Sequence, residues 1–578
     1  MISSTSTQDG ALGFQASDGP VYIVGPATLG PTDAVQSFGD PSTLYSTYGS
    51  GKLPDRTAFH YSVKGGGPTT CLRIAASTSG SINAFATAIA TALAGNNAGN
   101  AFAGLSFTGP RNVVVTFAAN YDGGNVTITG TAADKVTTQT EVITANAGND
   151  VVGLKVFGTI TGIAKGAVGA NAATATPKYG NKTAAGASSD SALAFAGTPT
   201  EDLDVYLRIT RDGDVSNAPY PAYVVSYDGN DSTGAETAVP NGGALTLANG
   251  LTATLVGAAV KVGDTFHITT KGPISTSGDL TAALAVLSTL NNDGGELHLV
   301  GALTGSQVAS VISWRGTERS AGRDWQVYCE ARDFNTGETK AQYIAALQSD
   351  VAALLDTEGG VTWTPGWWET VLPGGRGIQR RSFAWAIVSQ CWRLPYWEHP
   401  SSEEAGGGAL LGLYTALTPI APNTHDERLT PGLGGSGGRM LTAQSLPGQQ
   451  GLWFVGDSSG KRSPGTLAGG TSDFSLLMYA RIANRCRRAM QRLAPKLLAK
   501  RLGTKPDGTL SESMRKQLTG IAEQFLGQAL AGAVQGVRVE FSSTEVVKTT
   551  KATPYTAFLD VFGYALEVRA TVALAPVQ

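Results

Sequence analysis

The sequence predicts a multi-domain protein of mixed α+β and α/β class: an α/β core, inserted all-β modules and a closing α+β domain. Three observations predict it. At 578 residues the chain exceeds what one hydrophobic core supports. Between about Ser81 and Gly272 it turns to Ala, Gly, Thr, Val and Asn in short alternating runs broken by turns, the mark of sandwich or barrel modules. From Asp279 onward, strand-like runs alternate with helical stripes.

The core opens with the apolar strand VYIVGPA from Val21, then a Gly-Pro turn, the run VQSFGDPSTLYSTYGSG, and a second strand CLRIAA after GGGP. The β region comes next, with NVVVTF, NVTITGT, VTTQTEVITA, DVYLRIT and YPAYVVSYDG among its strands. Beyond it Leu280, Leu284 and Leu287 share one helical face, ELHLV and DWQVYC read as strands, and Ile344, Leu347, Val351 and Leu354 stripe another helix. The α/β layer continues through RRSFAWAIVSQCWRLPYW to about Pro400, and Gly406 to Gly438 reads as extended loop. A long helix over SDFSLLMYARIANRCRRAMQRL is capped by Ser472 or Asp473. Another, marked by Met514, Leu518, Ile521 and Phe525, is capped by Ser511. The strands GVRVEFSS and GYALEVRATVALAP close the chain.

Composition narrows the function. Charged residues make up 15% and net charge is -3, so the chain is no bulk polyanion binder; 42% hydrophobic content separates it from disordered chains. MISSTSTQDG has neither the basic start nor the apolar core of an export signal, and no apolar run approaches the ~20 residues of a bilayer span. The expectation is a cytoplasmic product without membrane insertion. Cys71, Cys329, Cys391 and Cys486 lie far apart without metal-ligand spacing, which reads as buried free thiols; pairing between subunits is the alternative.

In order and spacing, Gly25, Pro26, Gly30, Pro31, Ser37, Phe38, Leu44, Tyr48, Gly49, Gly65, Gly66, Gly67, Leu72 and Arg73 resemble the N-terminal part of contractile phage tail sheath proteins. Near the other end Asp473, Phe474, Leu476, Arg481 and Ile482 resemble the phrase that opens a helix in that family's last domain. The run PRNVVVTFAANYDGGNVTITGT, with TEVITANAG and FGTITGI after it, resembles small immunoglobulin-like modules of phage structural proteins. The resemblance implies a sheath-like α/β core with inserted immunoglobulin-like sandwich modules. Its expected layout is an arm at 1–20, core halves at 21–80 and 276–440, β modules at 81–176 and 177–275, and a C-terminal sheath domain at 441–578 ending in a strand arm.

It further implies a non-enzymatic subunit, without cofactors, of the virion tail of a phage or phage-like injection system, assembled in the host bacterial cytoplasm. Copies of the chain would stack as hexameric rings around a tail tube protein, meeting baseplate and tail terminator proteins, and would contract to drive the tube through the target envelope. Another structural tail component, such as a baseplate or decoration protein with host-binding β modules, is the alternative.

Several motifs have plainer explanations than chemistry. Gly434 to Gly438 and Gly456 to Gly460 fit G-x-S-x-G, but the first is low-complexity loop and the second, with Ser458, leads into KRSPGT rather than a helix. Gly432, Gly434 and Gly437 fit G-x-G-x-x-G without the flanking strand and helix. His298 and His399 stand near Glu296, Glu398, Glu403 and Glu404, yet no two of the chain's five histidines are three or four residues apart, so surface or interface histidines are expected. Arg481, Arg485, Arg488 and Arg492 form a cationic stripe beside apolar Ile482, Cys486, Ala489 and Leu493. This stripe could meet nucleic acid, solvent or an acidic protein surface; contact with a neighbouring subunit or the tube is expected, and direct nucleic-acid binding is not. Leu566, Val568, Ala570, Val572 and Leu574 alternate with polar residues, as in a strand that completes its own sheet or pairs with a neighbour's edge. The resemblance favours the neighbour.

Overall fold

A computed structural model describes residues 20–64, 68–83, 105–166, 174–185, 189–227, 235–334, 338–372, 378–400, 408–411, 439–445, 452–453, 466–468, 476–497, 502–550 and 554–562. The chain divides into two compact units: Met1–Ala75, Ser275–Gly375 and Arg380–Gln578 form the first, and Ala76–Ile274 with Arg376–Gln379 the second.

The first unit is built on a sheet whose strands are β1 (Val21–Pro26), β2 (Gln36–Phe38), β3 (Thr69–Ile74), β4 (Gly294–Ala302), β5 (Asp324–Glu330) and β6 (Val361–Thr364). Their order is β2-β3-β1-β4-β5-β6. All neighbours run parallel except β2 against β3. A parallel sheet needs cover on both faces, and β5 is buried along its whole length.

Alternation along the strands sends residues to two cores. Val21, Ile23, Cys71 and Tyr328 pack beneath α1 (Leu44–Tyr48), α2 (Lys52–Lys64), α6 (Ala384–Arg393) and the start of α7 (Leu477–Leu497). Tyr22, Val24, Leu72, Val327 and Cys329 pack under α3 (Ser277–Ser288), α4 (Gly305–Ser320) and α5 (Lys340–Ala352). The Leu280, Leu284 and Leu287 stripe faces this second core.

Capping boxes start α3, α4 and α5: Thr276 with Asp279, Thr304 with Gln307, and Thr339 with Gln342. Each satisfies two otherwise orphaned N–H groups and contributes about 1 kcal/mol. Two glycines of the opening segment are required by geometry. A Cβ on Gly25 would lie 2.9 Å from Val300 Cβ, between β1 and β4. Gly49 ends α1 with φ at +68°, leaving the buried Tyr48 hydroxyl to donate to the Cys71 carbonyl at 3.1 Å.

At the C-terminal end α7 packs with α8 (Glu512–Ala529) and the antiparallel pair β7 (Val534–Phe541) and β8 (Tyr555–Val561) around Cys486, Leu493, Leu518, Leu526 and Phe541. Ser511 caps α8, accepting from the Met514 N–H. The final run GYALEVRATVALAP and the expected caps Ser472 and Asp473 lie outside the described residues; the last described strand is Tyr555–Val561 instead.

The second unit contains two β cores. In one, the sheet of Leu105–Arg111, Phe157–Lys165, Val126–Ala132 and Thr138–Ile143 shares Val115, Phe117, Ile128 and Phe157 with the sheet of Ala175–Tyr179, Val113–Phe117 and Asp150–Val152. In the other, Lys182–Ala184, Thr265–Lys271, Asp204–Arg211, Ala222–Ser226 and Thr237–Ala238 form a sheet that Ser81–Asn83 joins beside Thr265–Lys271. Opposite it lie Ala192–Gly197, Leu251–Val256 and Ala244–Thr246, and Leu193, Val205, Leu207, Leu255 and Phe266 fill the space between.

Candidate functional site

The period-two pattern of β4 and β5 places Leu297, Leu299, Trp325, Val327 and Cys329 on one face and, on the other, Glu296, His298, Gln326, Tyr328 and Glu330, all buried. Buried polar groups need partners. They find them on α2, α6 and α7.

Arg56 of α2 donates from Nε to His298 Nδ1 at 2.8 Å and from Nη1 to Ser389 Oγ of α6 at 3.0 Å, with its guanidinium 5.4 Å from the Trp392 ring centroid. His298 Nε2 lies 3.1 Å from Glu330 Oε1, which also accepts from Trp385 Nε1 at 2.8 Å; the Gly301 N–H donates to Glu330 Oε2 at 3.0 Å. His60 Nδ1 stands 3.4 Å from Ser389 Oγ. Burial, then the adjacent Arg56 charge, pushes His298 down to about 4, so it is neutral at pH 7. Burial also lowers Arg56 to about 9, against the pull of Glu330.

A serine, two histidines, an arginine and a carboxylate in one row have the chemical vocabulary of a catalytic relay. Arg56, His60 and His298 are 0% exposed, however, and Glu330 and Ser389 are 1% exposed. A reacting group must be reached by its substrate; these groups instead tie two helices to a sheet. His298, His60 and His399 are therefore core residues, correcting the expectation of surface or interface histidines: Arg56 and Glu330, distant in sequence, flank the His298 ring inside the fold. Glu398 lies in the described chain next to His399, whereas Glu403 and Glu404 lie outside it. So do both G-x-S-x-G segments, with Ser458, and the G-x-G-x-x-G loop. Among the described residues no cluster of three or more His, Cys, Asp or Glu could hold a metal ion, and no helix is long and apolar enough to cross a membrane.

The cationic stripe of α7 divides along its length. Arg481 donates from Nε to Glu296 Oε1 at 3.0 Å and from a terminal nitrogen to the Cys391 carbonyl at 3.1 Å; the Tyr328 hydroxyl donates to Glu296 Oε2 at 3.0 Å. Burial opposes the Arg481 charge, but Glu296 holds the guanidinium above its ordinary value. Arg485 reaches the Ala529 carbonyl at 3.5 Å and lies 5.7 Å from the Tyr396 ring centroid. Arg488 is buried, and burial, then Arg492, brings it to about 9. Arg492 donates from Nε to Asp293 Oδ2 at 2.6 Å with half of its side chain exposed.

Between them Asn484 donates to Gln326 Oε1 at 2.9 Å, Arg487 pairs with Glu358, and Gln491 donates to Asp324 Oδ2 at 3.3 Å. Asp293, Glu296, Asp324, Gln326 and Glu358 sit at or near the N-terminal ends of β4, β5 and β6. Arg481, Asn484, Arg487, Gln491 and Arg492 thus form a ladder docking α7 on the sheet, Arg485 turns to α8, and the stripe is not one open face. Helical spacing identified the stripe but could not reveal acceptors more than 100 residues away in sequence. Ile482, Cys486, Ala489 and Leu493 are buried on the adjacent stripe. The strand-arm residues Leu566, Val568, Ala570, Val572 and Leu574 lie outside the described residues.

Fold and site together define a mixed α and β multi-domain protein whose core polar residues hold its helices in place. No family model matches the chain, and no curated protein matches it. Among solved structures it is similar to the sheath tail protein of Listeria innocua, at 9% identity and a TM-score of 0.34 over 94% of this chain and 95% of that one. So loose a superposition carries no argument, and the functional reading rests on the chain's own residues.

Proposed function

We propose that the chain is the structural subunit of a contractile tail sheath, polymerising around a tail tube and contracting to drive it through a target envelope. One observation carries the reading: the two sequence segments that resemble the family, some 400 residues apart, meet in one core. Leu477 and Met478 of α7 pack in the same cluster as Val21, Ile23, Leu44, Tyr48 and Cys71. Arg481 joins them by binding β4, the neighbour of β1.

The β7–β8 pair supports a place for strand exchange. It has two strands among the described residues, so each has an edge bonded to no other described strand. In this reading the run from Leu566 to Leu574 adds to such an edge on a neighbouring copy, copies stack as hexameric rings, and Arg492 meets an acidic group of a neighbour or the tube. The β cores of the second unit act as immunoglobulin-like decoration. Contraction moves subunits as rigid bodies while the strand contacts persist.

Negative-stain electron microscopy of the purified chain, beside a variant lacking Phe562 to Gln578, tests this. Long hollow cylinders that disappear on truncation support the sheath. Small discrete particles in both samples would replace it with a baseplate or decoration role.

A further inference from the structure

The second unit encloses a buried lysine aimed at a buried carboxylate. Lys182 Nζ lies 3.3 Å from Asp264 Oδ1, and both side chains are 0% exposed. Lys182 stands on the strand Lys182–Ala184, paired with Thr265–Lys271, and Asp264 immediately precedes that second strand. The Phe266 ring centroid is 5.8 Å from Nζ. Hydrogen bonds divide the two carboxylate oxygens: Oδ2 accepts from Ser189 Oγ at 2.5 Å, Ser191 Oγ at 2.6 Å and the Lys261 N–H at 3.1 Å, while Oδ1 faces the amine. Nζ also donates to Ser189 Oγ, Ser191 Oγ and the Ser191 carbonyl at 3.0 to 3.1 Å.

We propose that Lys182 and Asp264 condense to an intramolecular isopeptide bond that ties the two strands together covalently. The atoms balance without a co-reactant. The ammonium gives one proton to Oδ1; the freed Nζ lone pair attacks Cγ and forms the N–C bond. Negative charge then collects on Oδ2, where two hydroxyls and one backbone N–H already point, as in an oxyanion hole. A second proton passes from nitrogen to the Oδ1 hydroxyl, the Cγ–Oδ1 bond breaks, water leaves, and the carbonyl re-forms at Oδ2. Burial favours the step twice: it lowers the Lys182 pKa, against the attraction of Asp264, and condensation removes two charges from the interior. Close approach in a fixed, dry site supplies the effective concentration. This inference is independent of the sheath reading.

Peptide mapping of the denatured full-length protein tests it. A linked chain loses the mass of one water, resists trypsin after Lys182, and yields residues 179–208 joined to residues 262–271. Lys182→Arg keeps the charge but restores the unlinked mass. Asp264→Asn should give the same linked peptide with loss of ammonia from its own mass. If residues 179–182 and 183–208 of the wild-type protein are recovered as separate peptides with Asp264 unmodified, after purification and after prolonged incubation, the proposal is overturned. A water loss mapped elsewhere overturns it equally.

Discussion

Arg481 and Glu296 form an ion pair with Nε 3.0 Å from Oε1, and their side chains are 1% and 2% exposed. The pair joins the C-terminal helix to the central sheet across 185 residues. Arg481→Met should leave the Glu296 carboxylate buried with the Tyr328 hydroxyl and cost about 3 to 5 kcal/mol, whereas the double variant Arg481→Met, Glu296→Gln should cost much less. Urea unfolding of the single and double variants measures the difference; equal losses would show that the pair is not coupled.

Acid should weaken the first unit through His298. Its imidazole titrates near 6.5 when unfolded and at about 4 when folded, so between those values the unfolded chain binds more protons. The stability contributed by the neutral ring is complete above pH 6.5 and is lost as pH falls toward 4, by on the order of 3 kcal/mol. Urea midpoints at pH 7 and pH 5 should separate more for wild type than for His298→Gln, which keeps an acceptor for Arg56 but does not titrate.

All four cysteines are buried and free. Burial holds Cys71 and Cys391 up at about 12 and Cys486 at about 11, and raises Cys329 further. Native protein should therefore react with a thiol reagent only as fast as it opens, and release all four thiols in denaturant. Rapid native labelling of any one would contradict the packing described.

Arg492→Ala should change stability by less than about 1 kcal/mol, because its partnership with Asp293 is half exposed and screened. If this arginine meets a neighbouring subunit or tube, the same variant should assemble into shorter or fewer cylinders at unchanged melting temperature. Normal cylinders would remove Arg492 from the contact.

Where one physical signal dominated, the sequence was easy to read. Val21 to Pro26 is apolar on both faces, ELHLV and DWQVYC alternate an apolar face with a polar one at the strand period, and Leu280, Leu284 and Leu287 keep the helical period. Helix α2 escaped notice because its buried residues mix Asp55, Arg56 and His60 with Leu53, Phe59 and Tyr61, which blurs the apolar stripe, and Pro54 sits in its first turn, where a missing N–H costs nothing. Helix α4 did carry a usable signal, the Thr304 to Gln307 capping box. The ion ladder was half visible: the arginines follow helical spacing, but Glu296, Asp293 and Glu358 become their partners only through the fold. Lys182 and Asp264 gave no local sign at all, being 82 residues apart in unremarkable β sequence.

The pairing of β1 with β4 sets a schedule for the chain's synthesis. Val21 is made 275 residues before its partner Glu296. At ribosomal speeds of about 5 to 20 residues per second, that is roughly 15 to 55 seconds with one edge of β1 waiting. The second unit shortens the wait in space, if not in time. Thr78 and Ile274, near its entry and exit, are bridged to each other, so once it has folded the two ends of a 199-residue insertion lie side by side. What would have been a long loop to close becomes, for the sheet, little more than a turn.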